Sequence, residues 1–93
     1  MQLGTVIGSV WSTRKEERLV GMKLMIVKPT NILNEQLSLQ PLIAVDTIGA
    51  GVGETVLMVN GSSARIAVRD AQIPVDAAIV GIVDDKEVDK RYL

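Results

Sequence analysis

Gly49-Ala50-Gly51-Val52-Gly53-Glu54 sits between two apolar runs, Leu42 to Ile48 and Thr55 to Val59. Three glycines at alternate positions leave this backbone without side-chain cover. Such a loop either binds something through its N–H groups or packs closely against another backbone. Phosphate-binding loops are GxGxxG or GxxxxGK[ST], and this run is neither. A strand-like segment follows it rather than a helix, so no helix N-terminus faces the loop. The remaining readings are a tight inter-strand turn with glycines at positive φ, or a loop packed against copies of itself around a symmetry axis.

On both sides of the loop, short strand patterns recur. Residues 2–12 alternate, with Leu3, Thr5, Ile7, Ser9 and Trp11 on one face and Val6 and Val10 on the other. Gly4 and Gly8 in that run suggest a bend or a close backbone approach. Arg14 to Arg18 is a charged hairpin tip, Met22 to Val27 a return strand, and Pro29 its end. Thr30 to Gln40 reads as a loop, and Leu42 to Ile48 as a third strand with Asp46 inside it. Thr55 to Val59 is the fourth strand. Asn60-Gly61 is a turn, Ser62 or Ser63 caps a short helix to about Arg69, and Ala77 to Val83 is the fifth strand. Five short strands with one helix between the last two predict an all-β fold, a small five-stranded OB-like barrel.

Composition narrows the function. At 93 residues the chain is one domain. It has no Cys and no His, which removes thiolate metal sites, disulfides and the commonest general base. Net charge is −1 and the only rings are Trp11 and Tyr92. An OB-like module for single-stranded nucleic acid, the alternative reading, needs positive charge and stacking platforms that these numbers do not supply. No run approaches a membrane span and the start lacks a basic leader, so the expectation is a soluble, cytoplasmic chain. Yet 47% of residues are hydrophobic, and that much apolar side chain in so small a domain suggests burial between subunits.

Three constellations invite chemistry. Asp46 and Glu54 could pair as a hydrolase would, but no nucleophile, oxyanion hole or sugar platform stands beside them. Glu54 is expected to accept hydrogen bonds from the glycine N–H groups or to pair with an arginine, and Asp46 to accept from a neighbouring loop. Ser62 and Ser63 lack a base to activate them. Arg65, placed in the first turn of the helix, is disfavoured by the helix dipole, which suggests a carboxylate or carbonyl partner on another chain. No catalytic residue, cofactor or metal site is expected.

Taken in order, several stretches resemble one family. These are Gln2-Leu3-x-x-Val6-x-Gly8-x-Val10 with Ser12-Thr13, then Leu19-x-Gly21-x-Lys23-Leu24, then Ala44-Val45-Asp46-x-Ile48-Gly49-Ala50-Gly51-x-Gly53-Glu54-x-Val56-Leu57. Gly61-Ser62-Ser63-Ala64-Arg65, Pro74-x-Asp76 and Val80-Gly81-Ile82-Val83-Asp84 complete the set. Together they are similar to the bacterial microcompartment vertex proteins, the pentameric shell proteins of ethanolamine-utilisation compartments and carboxysomes. The resemblance implies a non-catalytic homopentamer that fills the five-fold corners of a polyhedral shell inside the cell, with hexameric shell proteins as partners. It implies that Gly49, Ala50, Gly51, Gly53 and Glu54 pack near the pentamer axis. It also implies that Ser62, Ser63 and Arg65 contact neighbouring subunits or hexamers. Residues 1–84 would form the barrel domain and 85–93 a charged tail.

Overall fold

The protein is described by a computed structural model over residues 1–12, 15–37, 39–70 and 72–93. Thr13 of the first motif and Arg14 of the expected charged tip lie outside the described residues. Five strands form: β1 Gln2–Val10, β2 Lys23–Pro29, β3 Leu42–Asp46, β4 Thr55–Asn60 and β5 Ala77–Ile82. One helix, α1 Ser62–Ala67, lies between β4 and β5, and single 3-10 turns cover Glu17–Leu19 and Lys90–Tyr92. The sheet closes in the order β1-β2-β3-β5-β4. β3 and β5 run parallel and every other pair is antiparallel. The single parallel pairing requires a crossover, which β4 and α1 supply. The expected OB-like barrel with its helix between strands four and five is therefore the fold. Among the described residues no helix is long and apolar enough to cross a membrane.

The interior follows from alternation along the strands. Val6, Met25, Val27, Ala44, Ala50, Val56, Met58, Ala77 and Ile79 form one buried cluster. With no Phe available, Met25 and Met58 fill the irregular volume that rings would otherwise take. Each such buried side chain contributes roughly 1.5–3 kcal/mol. A second cluster, Val45, Ile73 and Val75, lies outside the barrel wall under Leu19, Met22, Leu24 and Val68. Arg18 ties its cover down, with Nη1 donating to the Gln72 carbonyl at 2.8 Å.

Simple alternation fails along β1. Val6 pairs with Val27, but Gly8 pairs with Ile26 and Val10 with Leu24, so Ile7 is the extra residue of a bulge. A bulge reverses the side-chain parity beyond it. Val10 therefore does not share the face of Val6, as alternation predicts, but joins the face of Leu24 and Ile26. Gly4 is the close approach suspected from the sequence. A Cβ there would lie 2.5 Å from Val27 Cγ1 and 3.0 Å from both the Lys28 carbonyl and Met58 Cε.

Several element ends differ from expectation for local reasons. β3 stops at Asp46 rather than running to Ile48, because the Asp46 side chain captures the next free amides. The helix ends at Ala67, and Arg69 turns the chain at φ +62°. Its N-cap is Gly61 at φ +61° with no side-chain cap, which places Ser62 and Ser63 inside the first turn instead of at the cap. The segment after Asp84 is largely exposed. Lys86 pairs with Glu35, and Asp89 caps the final turn through the Arg91 amide at 3.0 Å.

Candidate functional site

The glycine loop is built from β3 outward. Asp46 is the last residue of β3 and stands directly opposite Lys23, the first of β2. Asp46 Oδ1 accepts the amides of Ile48 and Gly49, each at 3.0 Å. This carboxylate turn bends the chain away from the sheet. Gly49 then adopts φ +86° and Gly53 φ +91°, conformations that cost a side-chain-bearing residue about 1–2 kcal/mol. Between them Ala50 points its methyl into the barrel core and is fully buried. Val52, at the tip, is 67% exposed.

The exit of the loop is fixed by Glu54. Its Oε1 accepts the Gly51 amide at 2.7 Å, and its own amide donates to the Gly51 carbonyl at 3.1 Å. Two backbone bonds lash this end to β1: Gly53 N–H to the Val6 carbonyl at 2.8 Å and Val6 N–H to the Glu54 carbonyl at 3.0 Å. The loop is thus a closed, internally bonded turn. Its free surface is Val52 with the flanking glycines, and its amides at 48, 49, 51 and 53 are already donated within the chain. That arrangement suits packing better than ligand capture.

Within one chain the three glycines are not equivalent. A Cβ at Gly49 or Gly53 would meet open space, so backbone conformation alone demands glycine there. Gly51 is not in the left-handed region, and a Cβ on it would sit 3.3 Å from Glu54 Oε1. Asp46 and Glu54, considered as a carboxylate pair, are both engaged by main-chain amides, and among the described residues neither pairs with an arginine. Among the described residues no group of three His, Cys, Asp or Glu side chains could hold a metal ion.

The second motif forms a separate corner. Gly61 N–H donates to the Asp76 carbonyl at 2.8 Å, joining the start of α1 to the segment before β5. Ser62 and Ser63 are exposed, and Ala64 is fully buried beneath them. Arg65 lies in the last turn of α1, where a cation is favoured, and not in the first. Its Nη1 donates to the Val75 carbonyl at 3.1 Å, a partner within its own chain. A helix running to about Arg69 would leave Arg65 early in its course, whereas one that ends at Ala67 puts it in the last turn.

Lys23 also takes part, with a role that no local pattern announces. Its Nζ donates to the Ala50 carbonyl at 3.1 Å and lies 3.6 Å from Asp46 Oδ2. Only the register of β2 on β3 brings it there, and no local pattern encodes that register.

Comparison with known proteins covers nearly the whole chain. The family described as "Ethanolamine utilisation protein EutN/carboxysome" matches residues 1–84. The microcompartment shell vertex protein GrpN of Rhodospirillum rubrum is 49% identical over 88 residues, covering 94% of this chain and 97% of that protein. The carboxysome shell vertex protein CcmL of Gloeobacter violaceus is 40% identical over 93 residues, covering 100% of this chain and 92% of that protein. The solved structure of Gloeobacter CcmL superposes with a TM-score of 0.88 at 39% identity, covering 96% of this chain and 91% of that one. The solved structure of GrpN, the pentameric microcompartment shell protein from Rhodospirillum rubrum, superposes with a TM-score of 0.84 at 44% identity, covering 95% of this chain and 99% of that one.

Proposed function

The chain belongs to the EutN/CcmL family, and on that premise we propose that it is a structural subunit of a bacterial microcompartment shell, five copies of which form a vertex. The observation that carries this reading is the likeness, over 95% of this chain and 99% of that one, to the pentameric shell protein GrpN. A heterologous interface that closes after five copies gives a ring with a five-fold axis. Such a ring supplies the pentagonal defect that a hexagonal protein sheet needs in order to close.

The surface of the single chain supports assembly. Trp11 is 92% exposed, Ile66 73% and Val52 67%, a display of large apolar groups that burial between subunits would relieve. In this reading Gly49, Ala50, Gly51, Gly53 and Glu54 form the packed turn near the axis, with Val52 at its tip. The exposed Ser62 and Ser63, together with the free edge of the Arg65 guanidinium, face neighbouring subunits or hexameric shell proteins. Residues 1–84 form the vertex barrel and 85–93 an appended charged tail. The role is architectural and not catalytic; both loop carboxylates serve the main chain.

Native mass spectrometry of the purified protein tests the ring. The expected species is five times the 10.0 kDa chain. A stable monomer at micromolar concentration overturns the proposal. Co-expression with a hexameric shell protein tests the partner: shells should close in the presence of this chain and become leaky or elongated when it is omitted.

A further inference from the structure

The Ala50–Gly51 peptide is gripped at both ends by side chains of opposite charge. Lys23 Nζ donates to its carbonyl at 3.1 Å, and Glu54 Oε1 accepts its N–H at 2.7 Å. The cation faces the negative end of the peptide dipole and the carboxylate faces the positive end. Both hydrogen bonds are charge-assisted, the stronger class. A peptide followed by glycine rotates more freely than most, because Gly51 has no Cβ to restrict φ. The two grips oppose that rotation.

Asp46 holds the cation in place. Its side chain is 1% exposed, and its Oδ2 accepts no hydrogen bond and faces the Lys23 ammonium at 3.6 Å. A buried carboxylate with a vacant acceptor draws a cation toward it. Lys23 itself is 55% exposed, so its position is set at the Asp46 end while its Nζ remains within reach of Ala50. The opposed register of Lys23 and Asp46 on β2 and β3 fixes the geometry.

We propose that Lys23 is a positioning residue for assembly: with Glu54 it clamps the Ala50–Gly51 peptide in one orientation and so presets the loop tip that the ring packs. This rests on the ring reading above for its consequence but not for the clamp itself. Preordering a loop before association reduces the entropy lost on binding and so strengthens assembly.

The test must separate the clamp from simple neutralisation of Asp46. Lys23→Met alone strands a buried carboxylate and destabilises the barrel for that reason. The informative variant is therefore Lys23→Met with Asp46→Asn, which keeps the Oδ1 acceptor for Ile48 and Gly49 and removes the stranded charge. Lys23→Gln with Asp46→Asn, closer in volume and polarity, serves if the first does not fold. The expected result is a barrel with near-normal thermal unfolding but Gly51 amide exchange about tenfold faster, and a ring that dissociates at about tenfold higher protein concentration, the scale of one charge-assisted hydrogen bond at a half-exposed site. Lys23→Arg, with Asp46 intact, should restore both readouts. Double variants with unchanged Gly51 exchange and an unchanged ring would mean that Lys23 only neutralises Asp46, and the proposal fails. A wild-type protein that is itself monomeric refutes the ring reading and leaves the exchange measurement to decide the clamp.

Discussion

Glu54 Oε1 accepts the amide of Gly51 at 2.7 Å, while the Glu54 amide donates back to the Gly51 carbonyl at 3.1 Å. Three residues apart, the two close a small ring that makes the glycine loop a rigid object. The side-chain bond uses the N–H that a phosphate-binding loop would offer to its ligand. It also places a carboxylate oxygen 3.3 Å from where a Cβ at 51 would sit, so a side chain there requires the carboxylate to give by a few tenths of an ångström.

Glu54→Ala should cost about 1–2 kcal/mol of stability, the scale of a part-buried amide left without its acceptor. Glu54→Gln, which keeps a carbonyl acceptor, should cost less than half of that. Urea denaturation of the two variants beside wild type measures the difference. Equal losses would show that charge, and not the acceptor, holds the turn.

Gly4→Ala is expected to be the most damaging single methyl in the barrel. Its Cβ meets Val27 Cγ1 at 2.5 Å and the Lys28 carbonyl at 3.0 Å, and a carbonyl in a paired strand cannot step aside. Overpacking of this kind costs about 1–3 kcal/mol. Gly8→Ala, four residues on, meets nothing nearer than Ile26 Cδ1 at 3.5 Å and should leave the thermal midpoint nearly unchanged.

Gly49→Ala and Gly53→Ala should each cost about 1–2 kcal/mol through backbone strain alone, because both hold φ near +90° in open space. Asn at either position should recover part of the loss, since it tolerates the left-handed region better than Ala. Chemical denaturation reads the series. An Asn variant no better than the Ala variant would point to a steric cause instead.

Val52→Asp separates assembly from folding. Val52 is 67% exposed, so the isolated barrel should change by no more than about 0.5 kcal/mol. If the loop tips converge at a five-fold axis, five carboxylates meet there, and the ring in native mass spectrometry should be lost or greatly weakened at low salt. A normal ring moves the loop away from the axis.

The final turn should respond to acid. The hydrogen bonds from Arg91 hold the Asp89 carboxyl below its ordinary value of 3.8. A lowered native pKa means the contribution is complete above that ordinary value and is lost as pH falls through the lower native one. Tyr92, whose ring lies 5.8 Å from the Arg91 guanidinium, is the reporter. Its ring proton shifts should be constant from neutral pH down to about pH 5 and move as the pH falls below the ordinary carboxylate value.

Much of this was legible in the amino-acid order. Alternation and turn residues located five strands and the helix, because those signals are local: Asn60-Gly61 marks a reversal and Thr55 to Val59 a strand wherever they occur. The work of Asp46 and Glu54 as amide acceptors was also readable, since an acid beside glycines has free N–H groups within reach. Three things were not. The bulge at Ile7, which moves Val10 to the other face, depends on how β1 fits two partners at once. Arg65 finds the Val75 carbonyl only because α1 ends after six residues and the next segment folds back under it. Lys23 reaches Ala50 only because β2 lies on β3 in one register. The elements, the glycine positions and the lack of His and Cys follow from amino-acid order and composition, for these are properties of neighbouring residues or of counts. The tertiary structure alone decided which charges meet across strands, because strand register joins residues far apart in the chain through the packing of the whole barrel.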